Sequence, residues 1–400
     1  MSTVTLIFWA SLFAASCLCL SLVFVLYPLS LAIIDAVLGP RQASTGDSDG
    51  DMPFVSLITV ARNAEGIISS KIRNARELDY PADRYEIIVY SDGSEDGTEK
   101  VVKSFDDPRI RLYSSGKHRG KANGLNQAVE QSRGDILVFS DVDASLNRDA
   151  LGQLIRHHTD PDIGGVCGKR VVGPARGTAV RAQSSYVEFD STIKRLESVR
   201  GSLTSNDGKI YSVRRDLFRP ITPGTSDDLD CCLNVVEQGK RFVYEPAARA
   251  VVPVPSKDLR QEIQRRRRIV CGSLKTILSH PRLFNPLAHG TYGIRLGINK
   301  VLRRLLPMSL LLVLISTLAL WDVHAFFPAF AGIQGLGYGA AAVYPLLPRP
   351  LKSNRIICFL PETAFYFCAG NAGSLLGLWD YIVGRRYVVW EPTRRGEPKT

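Results

Sequence analysis

The stretch GDILVFSDVDASL, residues 134–146, indicates both the fold and the position of the site. Its apolar residues predict a buried strand, and Asp141 and Asp143 follow where that strand ends. Side chains at i and i+2 of an extended chain point to the same side, so the two carboxylates converge. Two like charges held together repel each other unless a cation or a donor network offsets them. A polar loop is the alternative interpretation, and the rest of the chain decides between them.

Three similar apolar stretches precede this one. FVSLITVAR begins at Phe54, YEIIVYSDGSEDGT at Tyr85 and RIRLYSS at Arg109, and each predicts a strand. Helices are predicted between the strands, at residues 66–78, 96–104 and 121–132. Strands that alternate with helices predict an α/β fold with a mostly parallel, doubly wound sheet.

Polar residues follow the carboxyl ends of these strands, where ligands bind in sheets of this kind. Arg62 and Asn63 end the first strand, Asp92 the second, and Asp141 and Asp143 the fourth. Taken alone, SDGSEDGT is equally well explained as a turn that caps a helix. The coincidence of three strand ends favours a binding site.

Lys121 begins a predicted helix in GKHRGKANGLNQAV. The stretch departs from the phosphate-loop template, because Ala122 stands where Ser or Thr should hold magnesium. A lysine at a helix start can still meet a phosphate, with backbone amides and the helix dipole assisting. A solvated lysine is the alternative.

Two later stretches carry charged side chains: one has three aspartates that could act as a base, and the other has four arginines that could bind an anion. In TSDDLD, Asp227, Asp228 and Asp230 open a helix, where they either cap it or deprotonate a sugar hydroxyl. In RQEIQRRRRIV, four arginines occupy positions 265–268 of one helix. Such a run is typical of a lipid-facing patch, although one or two of its members could reach a pyrophosphate.

The chain has 400 residues, a formal net charge of +11 and a pI of about 9.3. This balance favours an anionic partner: a nucleotide, a nucleic acid or an acidic membrane face. The aromatic residues do not alternate with the arginines as a stacking surface requires, so we expect no nucleic acid. The eight cysteines form no C-x-x-C pair, which indicates buried thiols in a reducing compartment.

Apolar segments flank the middle of the chain. Val4–Leu38 contains one charge, Asp35, and exceeds the roughly 20 residues that a spanning helix needs. We interpret it as a retained anchor because the basic start of a signal peptide is missing. Further spans are predicted at Leu305–Trp321 and Ala325–Leu347, whereas Ile356–Tyr381 is either a span or an interfacial segment. Basic clusters beside the predicted hairpin indicate that its ends, and the catalytic part, are cytoplasmic.

Several motifs carry a family resemblance over about residues 55–280. In chain order they are VARNAEGII, DYPADRYEIIVYSDGSEDGT, GKANGLNQAV, GDILVFSDVDA, TSDDLD and QRRRRI. In this combination the chain resembles the membrane-bound family 2 glycosyltransferases, which have a GT-A nucleotide-sugar domain. The flanking apolar segments resemble the polysaccharide-synthase and N-acetylglucosaminyltransferase-like branch.

The resemblance implies a role for each matching residue. By this resemblance, Asp92 contacts the nucleobase, Asp141 orients the nucleoside, and Lys121 lies near the ribose or phosphates. Asp143 binds Mg²⁺ or Mn²⁺, and Asp228 is the general base. Asp227 remains an alternative base, because the two aspartates are adjacent. Further donor-binding positions are Arg62, Asn63, Glu65, Gln264, Arg267 and Arg268.

Two departures from the family pattern bear on the function. An acidic residue often follows the Asn of the first motif, but here Ala64 intervenes before Glu65. Processive members carry Q-x-x-R-W, whereas this chain has Gln264 and Arg267 followed by Arg268. The tryptophan is missing from this motif, with Trp390 a speculative substitute, so long-chain synthesis is disfavoured.

The resulting hypothesis is an inverting, metal-dependent glycosyltransferase that uses a UDP- or GDP-sugar and a lipid-linked or cell-envelope polysaccharide acceptor. We expect a multi-pass protein of the inner (plasma) membrane, in contact with its lipids. The predicted parts are an anchor (1–40), a cytosolic GT-A domain (51–280), juxtamembrane helices (281–304), C-terminal spans (305–383) and a basic tail (384–400). A processive polysaccharide synthase and a catalytically silent membrane scaffold are the alternatives.

Overall fold

The computed structural model describes residues 2–39, 52–173, 178–253, 259–348, 351 and 355–388. Trp390 and most of the predicted basic tail lie outside the described residues. All eight cysteines are free thiols. The sequence predicts that they are buried, but Cys17, Cys19 and Cys368 are only partly buried because they lie on the apolar flanking helices.

One eight-stranded sheet forms the centre of the structure. Its strands are β1 (Val55–Ala61), β2 (Tyr85–Asp92), β3 (Ile110–Ser115), β4 (Ile136–Phe139), β5 (Ser145–Leu146), β6 (Ile163–Val172), β7 (Tyr211–Arg214) and β8 (Arg241–Val252). Their order is β3-β2-β1-β4-β7-β6-β8-β5. The four predicted strands, β1 to β4, are confirmed and pair in parallel.

The other half of the sheet is mixed. Strand β7 runs antiparallel between β4 and β6, and β5 runs antiparallel to β8, while β6 and β8 are parallel. The parallel sheet expected from the sequence therefore covers only part of the structure. Strand β7 is only 4 residues long, which is too short for a hydrophobic period to reveal.

Fourteen helices are described, and the predicted helices between the strands are among them. They are α1 (Thr3–Ser21), α2 (Tyr27–Leu38), α3 (Glu65–Arg76), α4 (Thr98–Lys103), α5 (Lys121–Glu130), α6 (Ala150–Ile155), α7 (Thr178–Arg200), α8 (Asp227–Glu237), α9 (Leu259–Leu278), α10 (Pro286–His289), α11 (Tyr292–Leu296), α12 (Arg303–Ala319), α13 (Phe326–Val343) and α14 (Arg355–Ile382). Short π-helical turns at Leu22–Leu26 and Gly297–Leu302 join α1 to α2 and α11 to α12. Single 3₁₀ turns occur at Ala82–Arg84, Arg156–Thr159, Arg215–Leu217, Pro281–Phe284 and Tyr344–Leu346.

The core lies on both faces of the sheet. Every residue of β1 and β2 is buried, which explains why these strands read as continuous apolar runs. The ring of Phe139 on β4 stacks on Tyr211 of β7, with ring centroids 4.8 Å apart. This contact joins the parallel half of the sheet to the mixed half, directly below the site.

Three helical segments are long and apolar enough to cross a membrane: Thr3–Leu38, Tyr292–Ala319 and Phe326–Leu346. The first and third agree closely with the prediction, whereas the second begins earlier than the expected Leu305 because its helix is continuous from Tyr292. Helix α14 covers the segment that the sequence left open. It is not among the candidate spans found in the described residues.

Helix α14 packs against α9. A methyl group at Gly373 or Gly377 would lie within 3 Å of α9 atoms, so the two helices approach closely there. The N-terminal segment packs on α7, where Tyr27 and Leu31 contact Ile193. The apolar N-terminal segment and α14 therefore contact the domain that contains the sheet.

Candidate active site

Strand ends bring two aspartates and a lysine together at one edge of the sheet. Asp141 and Asp143 follow β4, and Lys209 precedes β7, the antiparallel neighbour of β4. Lys209 Nζ lies 2.9 Å from Asp141 Oδ2 and 2.9 Å from Asp143 Oδ1. The repulsion expected between the two carboxylates is thus offset by an ammonium group.

Lys121 links Asp141 to the start of α8. Its Nζ lies 2.7 Å from Asp141 Oδ1 and 2.7 Å from Asp227 Oδ2. The backbone turns into α5 at Gly120, whose φ of 93° favours glycine. Three sequence-predicted site residues from separate parts of the chain therefore meet.

The charges of this array support one another. Burial raises the pKa of Asp141, but Lys121 and Lys209 outweigh that effect and hold the pKa well below its usual range. Burial lowers the pKa of Lys121, but Asp141 and Asp227 more than compensate and raise it above its ordinary value. We therefore expect Asp141 and Lys121 to stay charged at neutral pH.

Asp228 has a different environment. The Oδ1 atom of Asp228 accepts hydrogen bonds from Ser226 Oγ at 2.7 Å and from the amide of Leu229 at 2.8 Å. The Oδ2 atom accepts one from the amide of Gly208 at 3.1 Å. Burial raises the pKa of Asp228, and the charge of Asp227 raises it further. A carboxylate with a raised pKa is suited to accept a proton.

Asp230, the third carboxylate of this stretch, is buried in the fold with an exposed fraction of 2 %. Burial raises its pKa to about 6, while His280 lowers it. It lies next to Asn234 on the inner side of α8. We infer a structural position for Asp230, in keeping with the helix-start interpretation.

Asp92 is buried, and its carboxylate is already occupied by hydrogen bonds. His118 Nδ1 lies 2.7 Å from Oδ2, and the amides of Arg119 and Gly120 donate at 2.8 and 2.9 Å. These contacts hold the loop that leads to Lys121. The nucleobase contact implied for Asp92 stays a prediction, and the geometry favours a positioning role.

Arg62, Asn63 and Glu65 contact the loop after β2. Arg62 Nη1 donates to the carbonyls of Asp92 and Gly93 at 3.2 and 2.6 Å. Asn63 Oδ1 and Glu65 Oε2 accept from backbone amides of the same loop, at 2.9 and 3.0 Å. The first motif thus shapes the edge of the site, and direct donor contact by these residues stays a prediction.

The three residues predicted on α9 lie in different places. The charge of Arg268 acts on Asp227 and Asp141, which places it at the site. Arg267 instead forms a two-contact ion pair with Asp380 of α14, at 2.7 and 2.8 Å. Gln264 is exposed on α9. Adjacent helical positions point about 100° apart, so one helix cannot direct Arg267 and Arg268 to the same place.

Sequence reasoning missed Lys209 and Lys71. Lys71 is buried, with an exposed fraction of 4 %. Its Nζ donates to Ser140 Oγ at 2.6 Å and to the Ala144 carbonyl at 2.8 Å. Burial lowers its pKa to about 7. A signal existed, since Lys71 interrupts an apolar stripe in which Ile68 and Ile72 are fully buried. No comparable signal marked Lys209.

Carboxylate oxygens are suitable ligands for Mg²⁺ or Mn²⁺. Asp141 and Asp143 supply two such groups, and Lys209 already places a positive charge between them. Within the described ranges no group of three or more His, Cys, Asp or Glu residues could hold a metal ion. Asp141 and Asp143 could hold a divalent cation if it displaced the ammonium group of Lys209.

Comparison with known proteins agrees with this geometry. The family profile described as Glycosyl transferase family 2 matches residues 56–222, which include β1 to β7. Residues 56–222 are therefore similar to the family 2 glycosyltransferases. Curated relatives include the beta-monoglucosyldiacylglycerol synthase of Synechocystis sp., which is 26% identical over 201 aligned residues. The alignment covers 48% of this chain and 42% of the relative. Another is the poly-beta-1,6-N-acetyl-D-glucosamine synthase of Staphylococcus aureus (strain MSSA476), 24% identical over 212 residues and 51% of each chain.

The chain spans about half the length of these curated relatives. Among solved structures, the mannosyltransferase PcManGT from Pyrobaculum calidifontis, in complex with GDP-Man and Mn²⁺, superimposes with a TM-score of 0.66 and 21% identity. The match covers 93% of this chain and 99% of that chain. The fold class predicted from the sequence, a GT-A domain with flanking apolar helices, is confirmed.

Proposed function

We propose that this family 2 protein is an inverting, metal-dependent glycosyltransferase with a nucleotide-sugar donor. The observation that carries the proposal is the array of Lys121, Asp141, Lys209 and Asp143 beside Asp228. It combines opposite charges suited to a diphosphate and a cation with a carboxylate suited to act as a base. The family match supports the same chemistry.

Donor binding is proposed at the carboxyl edge of the sheet. A divalent cation bound by Asp141 and Asp143 supplies charge that offsets the leaving diphosphate. Lys121 contacts Asp141, Arg268 interacts electrostatically with Asp141 and Asp227, and both cations would attract the phosphates. The loops held by Arg62 and Asp92 form the nucleoside side of the pocket. A UDP- or GDP-sugar is the expected donor.

Asp228 is the proposed general base. It takes the proton of an acceptor hydroxyl, whose oxygen attacks the anomeric carbon as the bond to the diphosphate breaks. The nucleoside diphosphate leaves with the bonding electrons, and a single displacement inverts the anomeric centre. Asp227 is held by Lys121, so its carboxylate is less suited to accept the proton.

The membrane context is part of the proposal. Three apolar helices support a multi-pass protein of the plasma membrane, with the basic catalytic side in the cytoplasm. A lipid-linked or envelope glycan acceptor follows from the contact between the apolar helices and the catalytic domain. Arg268 stands where a processive enzyme would carry tryptophan, which favours single transfer over polymer synthesis.

The experiment that tests the proposal is nucleoside diphosphate release from a panel of UDP-, GDP- and dTDP-sugars with Mg²⁺ or Mn²⁺. We expect turnover of one donor and a loss of about 10²–10⁴-fold in kcat for Asp228→Asn. Glu237→Gln, at the other end of α8, is the matched control and should keep full activity. Turnover of no donor in the presence of membrane lipid would instead support a silent scaffold.

A further inference from the structure

Positive side chains gather between α7, α9 and α12, on the side of the catalytic residues that faces the apolar helices. The cations of this arginine groove are Arg265, Arg266, Lys300, Arg303 and Arg304, and its carboxylates are Glu262 and Asp190. Lys194, which also pairs with Asp190, brings the count to six cations for two carboxylates. These cations are partly buried, with Arg265 and Arg266 32 and 38% exposed, so solvent screens only part of the excess positive charge.

The two carboxylates are already committed. Glu262 pairs with Arg265 at 2.8 Å and with Arg266 at 3.0 Å. Asp190 pairs with Lys194 at 3.0 Å, while Arg303 Nη1 remains 3.6 Å away from it. Neither carboxylate has a further charge to offer.

Arg304 has no close carboxylate partner among the residues that the structure describes. Its Nε donates to the neutral hydroxyl of Ser273 at 3.0 Å, and no carboxylate of those residues lies within 4.0 Å of its guanidinium. Arg266 and Arg303 add positive charge nearby, and Asp190 offsets part of it without a direct contact. An anion at this position would therefore be strongly favoured.

Tyr186 reports the same positive field. Its side chain lies at the groove, with the Arg303 guanidinium 5.0 Å from the ring centroid. Desolvation raises the pKa of the phenol, but Arg303, Arg304 and Lys300 outweigh it, so that the pKa lies below its ordinary value. The residue is 40 % exposed, which leaves the groove accessible.

The groove connects the apolar helices with the catalytic centre. Arg303 and Arg304 begin α12, inside the apolar segment Tyr292–Ala319. Phe189, beside Arg303, packs on Phe24 of the N-terminal apolar segment, with ring centroids 6.3 Å apart. At the other end, the charge of Arg268 acts on both Arg265 and the catalytic aspartates.

We propose that the arginine groove binds the phosphate of a membrane-embedded acceptor, a lipid whose phosphate or diphosphate headgroup also carries the reacting hydroxyl. Arginine suits this ligand because its guanidinium donates two parallel hydrogen bonds to a phosphate. The lipid chains lie along the apolar helices, and the hydroxyl reaches Asp228. This inference rests on the proposed function and narrows its acceptor. A neutral diacylglycerol would leave the cations uncompensated.

The transfer step requires nothing further. The acceptor oxygen forms a bond to the anomeric carbon, the bond from that carbon to the diphosphate oxygen breaks, and the proton passes to Asp228. The lipid phosphate keeps its own bonds throughout. The groove thus positions the acceptor and takes no part in bond exchange.

The test measures transfer by the full chain in lipid nanodiscs, with the donor identified by nucleoside diphosphate release. Three acceptors are compared: phosphatidylglycerol, a polyprenyl diphosphate carrying one N-acetylhexosamine, and diacylglycerol. We expect transfer to a phosphate-bearing lipid. Arg304→Gln should raise the KM for that lipid about tenfold, equivalent to about 1.4 kcal/mol, and leave the KM for the donor within twofold.

Two further variants distinguish recognition from folding. Arg304→Lys keeps the charge and should recover part of the lost affinity for the lipid. Arg282→Gln removes an exposed charge outside the groove and should match the native protein.

Several outcomes would overturn the inference. Diacylglycerol as the preferred acceptor would do so, and so would an Arg304→Gln variant whose donor KM rises in place of its lipid KM. Donor hydrolysis without transfer to either phosphate-bearing lipid refutes the acceptor assignment and leaves the proposed function intact. If no nucleoside diphosphate is released under any condition, the proposed function itself fails.

Discussion

Replacement of Lys209 by methionine should strengthen metal binding. The ammonium group of Lys209 lies 2.9 Å from both Asp141 and Asp143, the pair proposed to hold Mg²⁺ or Mn²⁺. A divalent cation bound by the same oxygens must displace these contacts. Lys209→Met removes the competing charge and leaves two less compensated carboxylates, which attract a cation more strongly.

The size of the effect follows from the two contacts. The three side chains are 22 to 27% exposed, so each contact is partly screened and contributes about 0.5–1 kcal/mol. Loss of both corresponds to about 1–2 kcal/mol, and a tenfold change in affinity is about 1.4 kcal/mol. We therefore expect the Kd for Mn²⁺ to fall by about 5- to 30-fold.

Electron paramagnetic resonance of free Mn²⁺, recorded without donor, measures this Kd independently of turnover. Lys103→Met, on the exposed end of α4, is the matched control and should bind Mn²⁺ like the native protein. An unchanged or higher Kd for Lys209→Met would refute the reasoning. It would mean that Lys209 organises the two carboxylates for the metal and does not compete with it.

Three further predictions concern the proposed base Asp228, the turn that carries Asp141 and Asp143, and the α9–α14 contact. Because Asp228 must be deprotonated to act, kcat should rise with pH through its raised pKa, and Asp227→Asn should move this acid limb to lower pH in a pH–rate profile. Lys71→Met loses the hydrogen bonds to Ser140 and Ala144, at the two ends of the turn that carries Asp141 and Asp143. It should raise the Kd for Mn²⁺ about fivefold, equivalent to about 1 kcal/mol, in the same resonance titration. An unchanged Kd would contradict this role for Lys71. Asp380→Asn leaves Arg267 without its carboxylate and should destabilise the protein by about 3 kcal/mol, seen as a lower Tm in detergent; an unaltered Tm excludes a stabilising pair.

Local sequence information was sufficient for half of the sheet and much of the site. The four strands β1 to β4 and the helices between them follow from hydrophobic periods and turn residues, which are properties of neighbouring positions. Because parallel strands end at one edge, the same patterns predicted a binding site beside Asp141, and the family resemblance added Lys121 to it. The side-chain atoms of Asp141 and Lys121 lie 2.7 Å apart.

Tertiary contacts decided which charges join that site. Lys209 reaches Asp143 across 66 positions of the chain, and Arg267 reaches Asp380 across 113. The first contact depends on β7 pairing antiparallel with β4, and the second on α14 packing against α9. The periodicity of the sequence indicates which face of an element is apolar, but not which distant element covers that face. The chain's own residues therefore determined where a site would form, and long-range packing determined which cations complete it.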